Sequence, residues 1–102
     1  MEADTDIAIV GGGPVGAALA LALRESGLRV TVLEARAAHG DVHDPRPIAL
    51  SHGSRLLLER LGVWTGVRAG VGATPINHIH VSQRGGFGRM AMSAVDADVP
   101  HL

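Results

Sequence analysis

Three glycines and one acid carry the chemistry that this sequence suggests. Gly11, Gly13 and Gly16 stand as G-x-G-x-x-G, and Glu34 follows 18 residues after the third. Each glycine has its own use at a phosphate-bearing ligand. Gly11 permits a tight bend, Gly13 lets the backbone approach a pyrophosphate, and Gly16 lets a helix lie against a strand. A helix opening at such a turn presents unpaired N–H groups and roughly half a positive charge to an anion. Glu34 is placed to accept hydrogen bonds from ribose hydroxyls, and its charge disfavours a 2′-phosphate, hence NADP at this site. The motif alone is common. Here it follows an apolar strand, opens an Ala/Leu helix and is closed by a second strand ending in an acid, each an independent condition.

The elements that must position these residues read directly from the pattern. Residues 7–10 form a short apolar run that reads as a buried parallel strand. Pro14 fits the first helical turn, where a missing N–H costs nothing. The helix is expected to run to about Ser26, with Gly27 as its stop, and residues 29–33 alternate as a second strand, parallel to the first. The stretch 36–47 is a long polar loop, of the kind that is often functional. Ser51 or Ser54 can cap a helix reaching Leu61, with Gly62 as its stop. Its Arg55, Glu59 and Arg60 read as a solvated face with i, i+4 pairing. Glycines at 62, 66, 70 and 72 suggest a flexible connector. Residues 76–83 alternate, Gly85-Gly86 is a turn, and 87–95 can return as the partner strand. The last residues, DADVPHL, read as a loop.

Other chemistry is poorly supported. His78 and His80 share a strand face, but no third ligand is near in sequence, so a solvated or packed pair is favoured over a metal site. Ser51-His52 lacks a third partner for nucleophilic catalysis. Met90 and Met92 read as packing residues of a half-buried strand. The 102 residues contain no Cys, which excludes disulfides and thiolate chemistry, and nine Arg against ten acidic residues leave a net charge of -1. Nucleic acid is therefore not an expected partner. Mean hydropathy is +0.23, and the longest helical apolar stretch, 15–23, is far too short to cross a membrane. The acidic MEADTD start is unlike a signal peptide. A cytoplasmic location is expected, with peripheral contact at the inner membrane left open. Two aromatic residues and fourteen glycines are unusual for a self-sufficient core and fit a segment of a larger protein.

The stretch IVGGGPVGAALALAL…GLRVTVLE resembles the N-terminus of flavin-dependent aromatic hydroxylases. DPRPIALSHGSRLLLERLGVW and ATPINHIHVSQRGGFGRMAMSA resemble the ubiquinone-biosynthesis branch of that family. The resemblance implies an α/β fold: a Rossmann-like βαβ FAD-binding unit, then a helix and a β-hairpin, as the N-terminal portion of a larger two-domain flavoprotein. Residues 1–75 would belong to the FAD-binding domain, and 76–102 would be a hairpin leading into a substrate domain. It implies FAD contacts from Gly11, Gly13, Pro14, Val15, Gly16, Glu34, Ala35 and Arg46, with no catalytic triad and no metal. Bottom-up, Arg46 between two prolines is either a solvated loop residue or a charge-assisted contact to phosphate or flavin. The implied reaction is monooxygenation of a polyprenyl-phenol with molecular oxygen, NAD(P)H being the reductant of the full-length enzyme. The later cofactor-binding segments of that family are absent, so the 102-residue chain is expected to be incomplete, inactive alone and prone to self-association. Two alternatives stand beside this: an NAD-linked dehydrogenase, which requires a third strand and helix soon after Glu34, and a module that binds an ADP moiety without activity.

Overall fold

In the computed structural model, which describes residues 4–38, 45–70 and 72–102, the chain separates into two units, residues 1–48 and 49–102. In the first, strand β1 (Ile7–Val10), helix α1 (Pro14–Ala22) and strand β2 (Val30–Leu33) form the expected βαβ order. β1 and β2 pair in parallel, from Ile7 opposite Val30 to Val10 opposite Leu33, and α1 packs on both. The pairing begins one residue before β1. The Arg29 N–H donates to Asp6 Oδ2 (2.7 Å) and the Arg29 guanidinium to Asp6 Oδ1 (3.1 Å). The same Arg29 hydrogen bonds hold the Asp6 carboxyl below its usual range.

Two details depart from the sequence reading. α1 ends at Ala22, earlier than Ser26, because the Arg24 N–H bonds the Leu21 carbonyl (3.3 Å) and the Ser26 hydroxyl donates to the Leu23 carbonyl (2.6 Å). A serine hydroxyl that takes up a backbone carbonyl offers an alternative to the helical ladder. Gly27, expected as the helix stop, instead lies four residues past the C-cap Leu23 and turns the chain there at φ +78°. Secondly, β1 is covered on one face only. Ile9 is buried, whereas Val10 is 86% exposed. Among the described residues a single helix layer backs this sheet, so alternate strand positions face outward. Residues 39–44 of the expected long loop, with His39 and His43, lie outside the described residues.

The second unit opens with helix α2 (His52–Arg60). Ser51, of the two candidate caps, accepts the Ser54 N–H at 3.2 Å, an arrangement worth about 1 kcal/mol. The helix closes with the Gly62 N–H on the Glu59 carbonyl and the Val63 N–H on the Leu58 carbonyl, the two bonds of a Schellman motif, with Gly62 at φ +78°. The expected connector after Gly62 contains a short helix instead, α3 (Trp64–Gly70), packed against α2. Glycine in a helix costs about 1 kcal/mol each, which is why the glycine spacing concealed it. Packing compensates: the Arg55 guanidinium lies over the Trp64 ring, 5.2 Å from its centroid. Arg55 also pairs with Glu59 (2.8 Å), the anticipated i, i+4 bridge, and contacts His101. It is thus a packing residue as well as part of a charged face.

Strands β3 (His78–Ser82) and β4 (Arg89–Ser93) form the expected antiparallel hairpin. The Gly86 N–H bonds the Gln83 carbonyl at 3.1 Å and Gly85 sits at φ +77°, the left-handed position that this turn needs. Register puts Ile79 opposite Met92 and Val81 opposite Met90, while His78 and His80 face Ser93 and Ala91. The apolar face so formed is exposed among the described residues, so Met90 and Met92 are not packed there. The chain end is more structured than a loop. Ser93 Oγ and Asp96 bond reciprocally through Asp96 N–H and Oδ2, Asp98 takes φ +53°, and the Leu102 N–H bonds the Ile76 carbonyl at 2.8 Å.

Candidate functional site

The register of β1 and β2 assembles the site. Because Val10 lies opposite Leu33, and the Gly11 N–H donates to the Leu33 carbonyl (2.7 Å), the residues that follow each strand emerge side by side. Those residues are the glycine turn and Glu34. Eighteen residues of sequence separate Gly16 from Glu34, yet the parallel pairing returns the acid to the turn.

Each glycine of the motif meets a different physical demand. Gly11 has φ +109°, a conformation that a side chain strains to adopt. A Cβ on Gly16 would stand 1.9 Å from the Gly11 carbonyl oxygen and 3.2 Å from Ile9 Cγ2. The start of α1 therefore lies in direct backbone contact with the end of β1. A Cβ on Gly13 would meet nothing within 4 Å. The space beside Gly13 is open, as a backbone approach by a phosphate group requires.

The start of α1 is equipped for an anion. Its first intrahelical bond runs from the Ala17 N–H to the Gly13 carbonyl (2.9 Å), so the N–H groups of Val15 and Gly16 precede the ladder and have no partner in it. Gly13 supplies no side-chain cap, no acid occupies the first turn, and Pro14 takes a position that needs no donor. Nothing from the helix itself competes with a negatively charged ligand for these donors. The exposed side chain of Val15 flanks the same end.

Glu34 is held rather than loose. Its Oε2 accepts the Gly12 N–H at 2.8 Å and its Oε1 accepts the Arg36 N–H at 3.1 Å. Hydrogen bonds to the charged form favour it. The Arg36 amide, then the Gly12 amide, keep the Glu34 carboxyl below its ordinary range. Gly12 is the residue that the motif reading passed over, since G-x-G-x-x-G treats it as a spacer. Ala35 is exposed beside Glu34, and Arg46 stands exposed in the irregular stretch 45–50. The structure thus brings together Gly11, Gly13, Pro14, Val15, Gly16 and Glu34; the relation of Arg46 to them rests on the resemblance. Among the described residues no group of three His, Asp or Glu side chains is placed to hold a metal ion, His78 and His80 included.

A family model described as the FAD binding domain matches residues 4–100. Curated relatives include a ubiquinone hydroxylase of Neisseria meningitidis, 42% identical over 67 residues, which covers 63% of this chain and 14% of that protein. The 3-demethoxyubiquinol 3-hydroxylase of Escherichia coli is 49% identical over 69 residues, covering 64% of this chain and 18% of that protein. The 6-methylpretetramide 4-monooxygenase of Streptomyces rimosus is 42% identical over 71 residues, with 65% and 15% covered. The chain spans less than a quarter of the length of these relatives.

Proposed function

The chain belongs to the FAD binding domain family, and from that premise we propose that it forms the adenosine end of the cofactor site of a flavin-dependent monooxygenase. The carrying observation is the backbone contact of Gly16 with Gly11, with open space beside Gly13 and Glu34 returned to the turn. In this arrangement the amides of Val15 and Gly16 face the pyrophosphate, Gly11 and Gly13 admit it, and Glu34 receives the ribose hydroxyls. Pro14 and Ala35 line the same region, and Arg46 supplies a cation to phosphate or flavin. Bound flavin would supply the redox and oxygen chemistry; these residues bind and orient it.

The relatives named as a ubiquinone hydroxylase and a 3-demethoxyubiquinol 3-hydroxylase support a phenolic substrate of the polyprenyl class. The reaction would consume molecular oxygen and NAD(P)H in ubiquinone biosynthesis. Residues 1–75 would then be the first part of a Rossmann-like FAD-binding domain and 76–102 the hairpin that leads into the substrate domain. Among the described residues no helix is long and apolar enough to cross a membrane, which fits a full-length enzyme reaching its lipid-like substrate by peripheral contact from the cytoplasm.

The dehydrogenase alternative requires continued parallel pairing after Glu34. The described residues after Glu34 instead contain two helices and an antiparallel hairpin that forms a separate sheet, which weighs against it. Titration of the 102-residue chain separates the readings. Saturable quenching of FAD fluorescence, with no response to NAD, is the expected result. Binding of NAD without FAD would overturn the proposal, and binding of ADP alone would reduce the chain to a module for that moiety.

A further inference from the structure

We propose that Gly12 is a positioning residue: its backbone N–H holds the Glu34 carboxylate at the glycine turn, oriented so that both oxygens remain open to a vicinal diol. The inference rests on the dinucleotide reading above and adds a role for a residue outside the glycine motif. Glu34 is exposed and, without a hold, would sample several rotamers. Backbone donors fix it instead, among them Gly12 on Oε2 at 2.8 Å and Arg36 on Oε1 at 3.1 Å. A carboxylate accepts about four hydrogen bonds, two on each oxygen. The amides of Gly12, Arg36 and Ala35 occupy part of that capacity, and acceptor capacity remains for ribose hydroxyls. Neighbouring hydroxyls on a ribose present two donors at matching separation, so the hold prepares the acid for a diol before the ligand arrives.

A side chain at Gly12 would crowd the held acid. A Cβ there would stand 3.0 Å from Glu34 Oε2, 3.3 Å from its Cβ and 3.5 Å from its Cγ. Its φ is not among the positive values, which fall on Gly11, Gly27, Gly62, Gly72 and Gly85. Gly12→Ala therefore crowds the acid, which must give by a few tenths of an ångström, without straining the backbone, and this makes it a selective probe. Among the described residues, the Arg36 cation acts on the carboxylate through space.

The test has two arms on the 102-residue chain. In the first, the Gly12 amide proton is followed by NMR as the pH falls. The expected result is a shift with a midpoint below that of an exposed glutamate, absent in Glu34→Gln. A step that persists in Glu34→Gln, or no step in the wild type, overturns the hold. In the second, calorimetry compares ADP with 2′,3′-dideoxy-ADP, which lacks the diol but keeps the adenine and pyrophosphate. The wild type should prefer ADP by about tenfold or more, since bonds to a charged acceptor are the stronger class. Gly12→Ala should bring the two affinities close together. A merely structural role would weaken both ligands alike and keep their ratio, and that outcome overturns the proposal. A wild-type chain whose Gly12 amide titrates but which binds neither ligand would overturn the dinucleotide reading and leave the hold on Glu34 standing.

Discussion

Alanine at Gly16 and alanine at Gly13 should fail for opposite reasons, although the two positions are three residues apart in one motif. At Gly16 the added Cβ would lie 1.9 Å from the Gly11 carbonyl oxygen. An ordinary carbon contact is near 3.5 Å, so the start of α1 must withdraw by about 1.5 Å. The obstructing atom is backbone, in a turn tied to β2 by the Gly11 N–H bond to Leu33, and it cannot rotate away as a side chain would. Overpacking of this kind costs about 1–3 kcal/mol, occasionally more. For a domain of this size each kcal/mol lowers Tm by about 4–8 °C, so Gly16→Ala should lose between about 4 and 24 °C. At Gly13 the Cβ meets nothing within 4 Å, and φ -71°, ψ -175° is extended backbone open to any residue. The loss of glycine at a helix N-cap is worth at most about 1 kcal/mol. A gain of about 0.4–1 kcal/mol from a less flexible unfolded chain offsets it. Gly13→Ala should therefore melt within a few degrees of the wild type, yet its Cβ fills the space into which a pyrophosphate must come. Its affinity for FAD should fall at least about tenfold, or 1.4 kcal/mol. Thermal denaturation followed by circular dichroism, with FAD titration of each folded variant, reads both effects. A Gly16→Ala chain as stable as the wild type would refute the packing argument, and a Gly13→Ala chain that binds FAD undiminished would refute the phosphate argument.

Three further expectations follow from the remaining contacts. The Asp6 carboxyl has a lowered pKa through Arg29, so its stabilising contribution is full above the unfolded pKa and is lost as the pH falls below 3.8 through the folded value; Asp6→Asn should flatten that acid limb in urea melts taken from pH 6 to pH 2. Arg55→Ala removes the guanidinium over Trp64 and the Glu59 bridge together, which should cost about 1 kcal/mol and shift the emission of this single tryptophan to the red. The apolar hairpin face of Ile79, Val81, Met90 and Met92 is exposed, and among the described residues each sheet has two strands with open edges; sedimentation velocity should find concentration-dependent self-association of the isolated chain, weakened by Met90→Lys with Met92→Lys, and a monomer at all concentrations would refute this.

Local residue types made several elements legible. Ser51 as an N-cap and Gly62 as a helix stop were readable because a serine oxygen and a glycine at positive φ act on backbone groups within four residues. The hairpin was readable from alternation around Gly85-Gly86. α3 was not, because Gly66 and Gly70 argue against a helix, while the Arg55 guanidinium that packs over its Trp64 ring comes from another element, α2. The early end of α1 was equally hidden, since Leu23, Arg24 and Glu25 are good helix formers that continue the pattern up to Ser26, whose hydroxyl takes the Leu23 carbonyl.

The βαβ unit itself follows from composition and spacing alone: an apolar run, a glycine turn, an Ala/Leu helix and an alternating strand each have one locally favoured conformation. What emerges in three dimensions is the meeting of its two ends. Parallel pairing of Val10 with Leu33 sets Glu34 beside Gly12, and the packing of α1 sets Gly16 on Gly11. The first contact joins residues 22 apart and arises from the register of the two strands; the second joins residues close in the chain, but its closeness is set by how α1 packs on the end of β1.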